Sequence, residues 1–586
     1  ETETTLNLSS LTFSSNYSTY YGGACNLEDC NASIKKTSFT GNRSIFAGGG
    51  IYMIDGYLIS TGSHYSRNSS NTQGGAVSVK NGTWIETNAS YFQNDSIFEG
   101  GGIYFEDSSG SINESNFTGN LNSTYNGGGA VALKNSSPSF TGSTFTSNSS
   151  VSNSGGAIYM DPSSMPAIAS CSFLSNYTVG QFGYGGAIYF SGNSGMHIKN
   201  SLFKGNYAKS GGAFSSWGAS DLTFSSCRFI ANEANATTTS EGGVALLADG
   251  ADQTKFINCI ISGNKANYRG GFFKPDGRTR IVNCTLVGNQ AGSEGGIAIL
   301  FAGNSIELEN SILWRNSAGS KGDDLFVNSQ SVTASHSLFD PAKSSEILSG
   351  NNNFSNDPLF VDINGSDGLM GTEDDDYNLQ PSSPAIDQAN SSAEDYSSTD
   401  FLGKTRFGSA PDIGAFEYRI NSAPSISVGS TYSLSSMEDN ELNFTFLAED
   451  GDLDELSWSI VSQGSNGIAS INSENGTLSY APNTNWYGSD SLVLSVSDGH
   501  LSVSTTISIT INPVDDPPIL NSPLSDQTMN EDDENLSVDL SNVFVDVDLG
   551  SGFVFSASSS NSSLVLPIIE GTSLVPVSYT HLRAHE

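Results

Sequence analysis

Phe39-Thr40-Gly41-Asn42 is followed by Gly49-Gly50-Ile51-Tyr52-Met53 and then, 26 residues after the first phenylalanine, by Tyr65-Ser66-Arg67-Asn68. An aromatic or aliphatic residue with Asn three positions later returns at Phe13, Phe39, Tyr65, Tyr91, Phe117, Phe145, Phe173, Phe203, Phe229, Ile261, Leu286 and Leu313, at intervals of 25 to 32 residues. A period in the twenties marks a solenoid. After each Gly pair, apolar residues alternate, as in Ile158-Tyr159-Met160 and Ile188-Tyr189-Phe190, which makes strands with one face inward. The Leu-x-x-Leu-x-Leu series of leucine-rich repeats is missing. Short strands without a helical segment predict a parallel β-helix over residues 11–320, about twelve coils stacked at about 4.8 Å into a rod of roughly 55 Å.

Each repeated residue has a physical reason. Rings at one register should stack inside the tube, each contributing about 2 kcal/mol of apolar burial. The Asn is expected at the turn, in a left-handed backbone conformation, with its amide joining a hydrogen-bonded ladder along the axis. Gly-Gly permits a positive φ at the next corner and close approach between coils. Cys171, Cys227, Cys259 and Cys284 lie two residues before the repeat ring, where other coils carry small residues. They are expected inside as a thiol stack, with an inter-coil disulfide as the alternative; Cys25 and Cys30 could close a small loop in an oxidising compartment.

The 586 residues exceed what one core organises and imply several units. A net charge of −38, from 61 acidic against 23 basic residues, repels phosphate backbones and excludes nucleic acid as a partner. The same excess offers oxygen ligands to hard cations. Six Cys without a zinc-type spacing give neither a disulfide framework nor a zinc site. No run of 18 apolar residues predicts a membrane-spanning helix within the sequence.

The alternation of Gly-Gly-Ala-Ile with Phe-x-x-Asn resembles the repeats of chlamydial polymorphic outer-membrane proteins and similar autotransporter passengers. The resemblance implies a right-handed parallel β-helix displayed outside the cell, associated with an outer membrane, as an adhesin for extracellular glycan or for a host or neighbouring cell surface. The C-terminal half departs from it, because no membrane β-barrel follows. Residues 1–334 are assigned to the β-helix. From 335 to 420, Asp357-Pro358-Leu359-Phe360, Ser383-Pro384-Ala385-Ile386-Asp387 and Asp412-Ile413-Gly414-Ala415-Phe416-Glu417-Tyr418 resemble the C-terminal end of pectate-lyase-like β-helix proteins, which implies a cap that completes the last coils and covers their apolar core. Within this segment Asp362, Asn364, Asp367, Asp374 and Asp376 place oxygens on near-alternate positions around Gly368, a pattern suited to calcium, with a solvated acidic loop as the alternative.

Residues 421–514 change composition and show about seven short strands, including 442–447, 456–461, 491–496 and 505–511, as in an immunoglobulin-like sandwich. Met437-Glu438-Asp439 and Asp450-Gly451-Asp452-Leu453 have counterparts in Met529-Asn530-Glu531-Asp532 and Asp546-Val547-Asp548-Leu549, so residues 515–576 read as a second module. These phrases and the linker Asn512-Pro513-Val514-Asp515-Asp516-Pro517-Pro518 resemble cadherin-like repeats of bacterial adhesins. The resemblance makes Asp450, Asp452, Asp454, Asp515 and Asp516 candidate calcium ligands, although the Asp-Arg-Glu motif of animal cadherins is missing.

Catalysis has one local candidate. Lys265, Arg269, Lys274, Asp276, Arg278 and Arg280 form the densest basic cluster, on two neighbouring coils, where Phe272-Phe273 breaks the Gly-Gly-Ala-Ile pattern. A polysaccharide lyase needs such a base and a glycosidase needs paired carboxylates. The expectation is a non-catalytic surface adhesin or stalk; the alternative is a secreted polysaccharide lyase or glycosidase. Glu1 in place of Met, with a repeat beginning at once, suggests a truncated start. Residues 577–586, Val-Ser-Tyr-Thr-His-Leu-Arg-Ala-His-Glu, resemble the translation of a sequencing adapter and are set aside from fold reasoning.

Overall fold

The computed structural model describes residues 5–578, apart from 125–126, 152–153, 181–182, 193–194, 219–220, 237–239, 249–252, 275–276, 301–303, 328–330, 341–349, 408–409, 453, 530–535, 549–551 and 563. Two compact units divide at Tyr418 and Arg419.

The first unit is a parallel β-helix in which every complete coil contributes one strand to each of four sheets. Sheet A begins with Thr5–Ser9 and Asn31–Lys35, sheet B with Thr12–Ser14 and Ser38–Thr40, sheet C with Tyr17–Ser18 and Arg43–Ser44, and sheet D with Cys25–Glu28 and Ile51–Ile54. Sheets A and B hold 13 strands and sheets C and D hold 12. Equivalent residues meet in register, Phe13 beside Phe39, Phe39 beside Tyr65 and Tyr65 beside Tyr91. The rings from Phe13 to Phe229 therefore form one interior stack, with centroids 4.5 to 5.3 Å apart and planes within 14°. Ile261 and Leu286 continue the column with less volume. Phe256, Phe272 and Phe273 fill the space edge-on, so the Phe272-Phe273 irregularity is a packing compensation.

The asparagines form the predicted ladder. From Asn16 to Asn289, each Nδ2 donates to the Oδ1 of the next coil's Asn at 2.8 to 3.0 Å, and the series ends on Asn316, which donates to Asp324. From Asn42 onward, Nδ2 also donates to the carbonyl of the preceding coil's repeat residue, as from Asn42 to Phe13 at 2.9 Å. Their backbone conformation differs from expectation. The left-handed angle falls on the residue before each Asn, such as Ser15, Gly41, Arg67 and Gln93, and the Asn itself has turned inward. This placement lets the amide reach the axis, which a left-handed corner residue pointing outward could not do. At the next corner, Gly48 has φ +69°, and a Cβ on Gly49 would lie 2.2 Å from the Gly75 carbonyl oxygen, so one glycine supplies the turn and the next the close approach.

All six cysteines are unpaired; Cys171, Cys227, Cys259 and Cys284 are buried as expected. Burial pushes the Cys171 thiol up to about 11.

The segment after the coils is a strap more than a cap. Asn351 and Phe354 extend the last rung by accepting from His336 and Phe339. Residues 357–418 then run back along the outer face of the tube. Phe360, Tyr377, Leu379, Ala385, Ile413 and Phe416 pack on Ile260, Val287, Ile312 and Leu338, which are outward positions of sheet B in these late coils. The phrase at 412–417 is the foot of this strap. Gly414 donates to the Asn310 carbonyl, and buried Arg406 reaches the Gly414 carbonyl, Asn258 Oδ1 and, at 3.2 Å, the Glu417 carboxylate. Beyond the rung that Asn351 and Phe354 extend, the apolar surface covered by this segment lies on the side of the tube.

In the second unit, a four-stranded sheet (Thr431–Met437, Ser502–Asn512, Gly488–Ser497, Ser457–Ser462) faces a three-stranded one (Leu442–Thr445, Thr477–Pro482, Gly467–Ile471). Trp458, Leu478, Tyr480, Leu494 and Ile509 lie in its core. The second module contributes Ile519–Leu520 paired with Phe544–Val545, and a sheet in which Ser573–Ser578 lies between Val538–Asp539 and Val565–Glu570. Val577 and Ser578, set aside above, form the end of that last strand.

Candidate functional site

The basic cluster is divided among the faces of the tube. Lys265 is exposed in sheet C on Lys265–Ala266, Arg269 sits at the corner before sheet D, and Arg278 and Arg280 are in sheet A on Arg278–Val282. Lys274 is on a sheet D strand, with its side chain outside the described residues; Asp276 also lies outside them. In the sheet A strand, Thr279 and Ile281 point inward, so both arginines face out. Arg278 makes two hydrogen bonds to Glu307, at 2.8 and 2.7 Å, and Glu307 holds its guanidinium above its ordinary pKa. Arg280 meets Glu394 and Asp395 of the strap, the latter at 3.3 Å, and Lys255 meets Asp395 at 2.9 Å. Arg269 pairs with Glu294 at 3.0 Å and lies over the Tyr268 ring. A guanidinium held charged by carboxylates is a poor proton acceptor. These groups clamp the strap and neighbouring coils, and charged heads with alternating sign across a packed seam suffice to explain their density.

The loop from Asp362 to Asp376 uses its oxygens internally. Asp374 Oδ2 accepts from Ser366 N and Oγ and from Asp367 N, and the Ser366 hydroxyl leads the interactions that hold this carboxyl well below the usual range. Asp362, Asp367 and Asp376 each accept a backbone N–H two residues on, from Asn364, Leu369 and Asn378. Asp375, absent from the predicted set, is the buried acid and accepts from Gly371 N, Thr372 N and Tyr377 OH. Four of the five predicted ligands, Asp362, Asp367, Asp374 and Asp376, thus accept backbone N–H groups of their own loop, and Asn364 supplies one of those N–H groups.

Convergence occurs in the sandwich. Among the described residues, Asp450, Asp452 and Asp454 are the acidic group whose ligand oxygens all lie within 4.8 Å of one another. Asp450 Oδ1 accepts from Asp452 N at 2.8 Å and Asp454 N at 3.2 Å, curling the loop around the carboxylate. Asp450 is 8% exposed and its Oδ2 has no partner. Asp452 Oδ2 accepts from Ser422 N and Oγ in the entering linker. Oxygen donors around an orphaned carboxylate oxygen fit a hard divalent cation.

Asp515 and Asp516 are at the opposite end of the sandwich, where Met437 pairs with Asn512. Asp516 N donates to Asp548 Oδ2 at 2.6 Å. Desolvation, then Asp548, Asp439, Glu438 and Asp546, raise the Asp516 carboxyl. Glu438 is buried, with Oε1 accepting from Val514 N and Oε2 unpaired. The predicted five-ligand set is thus two separate places. Glu438 and Asp548 were visible in the recurring Met-Glu-Asp and Asp-x-Asp phrases, which sequence reasoning used only to count modules. It also missed Glu86, which shares the inward phase of Trp84. Glu86 accepts inside the tube from Trp84 Nε1 at 2.9 Å and Tyr91 OH at 2.6 Å, and burial pushes its carboxyl up to about 7.

The Right handed beta helix region family matches residues 101–272, and the Bacterial Ig domain family matches residues 421–512. The chain is an all-β protein joining a β-helix to an Ig domain. Comparison with curated proteins gives no match, so the likeness to polymorphic outer-membrane proteins rests on the repeats alone. Among solved structures, human protocadherin-24 EC1-2 is 21% identical over 28% of this chain and 82% of its own, with a TM-score of 0.21. The endo-fucoidan hydrolase MfFcnA4 from glycoside hydrolase family 107 is 20% identical over 27% of this chain and 24% of its own, at 0.16. Pectate lyase Pel9A is 12% identical over 71% of this chain and 88% of its own, at 0.31. At these scores none of the three bears on what this β-helix and Ig chain does. No helix among the described residues is long and apolar enough to cross a membrane.

Proposed function

We propose that this β-helix and Ig chain belongs to a non-catalytic extracellular surface protein, an adhesin or stalk that presents the outer faces of its coils to glycans or cells. The observation that carries this reading is the pairing of Arg278 with Glu307 and of Arg280 with Glu394 and Asp395. Two cations of the densest basic cluster are spent on holding coils and strap together, where a lyase would keep such a group available as a base. The coils otherwise repeat the same rings, amides and glycines, which suits a rigid display surface. Calcium bound at Asp450, Asp452 and Asp454, next to the Ser422 linker, would brace the Ig module and its entry.

The test is to incubate the full chain with polygalacturonate, alginate and fucoidan while measuring its attachment to bacterial and host cells. The expected result is attachment without new unsaturated or reducing ends. Depolymerisation that disappears in Arg280→Ala, or no attachment to any surface, would overturn the proposal.

A further inference from the structure

The corner joining sheet D to sheet A carries a groove of about 850 Å³ along the first five coils, lined from Asp29 to Ser137. Five coils span four rises, about 19 Å, enough for several sugar rings end to end. Its lining is mixed and polar: Asp29, Asp55, Asn81 and Asp107 succeed one another along one side, with Tyr57 and Thr83 on sheet A opposite. Tyr57 is 42% exposed. No lysine or arginine lines the groove.

The residue choice at this corner exceeds what the backbone requires. Asp29, Asp55, Asn81, Asp107 and Asn135 all have φ near +50°. In the same coils, the corner between sheets A and B takes that conformation with Ser10, Lys36, Gly62, Asn88 and Glu114. The corner between B and C does so with Ser15, Gly41, Arg67, Gln93 and Gly119. Past the groove, the positive φ of the described D-to-A connections falls mainly on glycine, at Gly192, Gly195, Gly218 and Gly277, with Asp221 as the acidic exception. Of these three corners, only the D-to-A corner carries Asp or Asn at all five rungs of the groove, although stacking Asp29 beside Asp55 sets like charges one rung apart.

The chemistry selects among occupants. A peptide strand cannot add to this wall, because the corner amides of Asp29, Asp55, Asn81 and Asp107 already donate to the next coil. A polyuronate would bring carboxylates against carboxylates. Vicinal hydroxyls, by contrast, suit carboxylate and amide oxygens, and a phenol offers a ring face to the C–H face of a sugar. We infer that this groove binds an extended neutral glycan lying parallel to the coil axis. The inference rests on the surface-binding reading above and names its ligand class and place.

The experiment measures binding of the full chain to cellohexaose, laminarihexaose and mannohexaose by calorimetry, with hexagalacturonate and hexalysine as charged probes. Asp29→Asn/Asp55→Asn keeps residue types that tolerate the left-handed corner, and Ser109→Trp fills the groove from an exposed sheet A position. The expected result is binding of at least one neutral hexasaccharide, weakened at least tenfold in both variants with unchanged urea unfolding, and no binding of hexagalacturonate. Unchanged neutral-sugar binding in both variants would overturn the inference, as would preference for either charged probe. If no neutral hexasaccharide binds while cell attachment persists, the groove assignment falls and the surface reading stands; if attachment is lost as well, both fall.

Discussion

In the β-helix the axial neighbour of a side chain is usually its own counterpart: Asn94 on Asn120, Phe117 on Phe145, Gly49 beside Gly75. In the Ig sandwich, antiparallel pairing sets unlike residues together, Trp458 against Val496 and Phe444 against Leu478. Like-on-like stacking rewards groups that complement themselves, such as amides, rings and bare backbone, and penalises repeated charge. The solenoid accordingly keeps its interior neutral apart from a few acids, while the sandwich gathers carboxylates at its two ends, around Asp450 and around Glu438.

The sharpest way to break this contrast is to remove one amide. Asn120→Ala leaves Asn94 N and Nδ2 and the Tyr91 carbonyl without their buried partner, and should cost about 4 to 5 kcal/mol of β-helix stability while the Ig transition stays put. Urea unfolding followed separately for the two units measures it; a loss under about 1 kcal/mol would remove the ladder as a source of order. Phe145→Ala opens a cavity in the ring stack and should cost about 3 to 4 kcal/mol, again in the β-helix alone.

Glu86 tests the exclusion of charge. Its folded-state carboxyl titrates at about 7 against an ordinary 4.5, so the folded chain holds the extra proton between these values. The stabilisation is fully present below pH 4.5 and is lost as the pH rises through about 7. A shift of that size corresponds to about 3 kcal/mol. Unfolding measured from pH 4 to 8 should show this slope, and Glu86→Gln should abolish it; a slope that survives the substitution belongs to another group. The smallest effect is expected in the sandwich. Calcium at roughly thirtyfold over its Kd should stabilise the Ig module by about 2 kcal/mol, with no change in Asp450→Ala or in the β-helix transition. Equal stabilisation of wild type and Asp450→Ala would place the ion elsewhere.

Legibility followed the same division. The coil period, the ring stack, the amide ladder and the glycine corner were readable, because each in-register contact repeats at a fixed interval. The left-handed residue before each Asn was less readable, since Ser, Gly, Arg and Gln all serve there and leave no common letter. The direction of the strap was not readable: apolar Ile260, Val287 and Ile312 fit a buried coil as well as an outer face awaiting cover. Arg278 and Arg280 looked like a patch because linear density does not reveal that Glu394 and Asp395 return from more than a hundred residues away.

By itself, the sequence determined the ring stack, the amide ladder and the glycine corner, because a solenoid converts one repeat spacing directly into contact. Only the tertiary structure decided which carboxylates meet. It gathered Asp450, Asp452 and Asp454, spread the loop at 362–376 into turn caps, and sent Asp515 and Asp516 to the other end of the module. Charge interactions depend on distance and burial, and neither is encoded in the local alternation of residues.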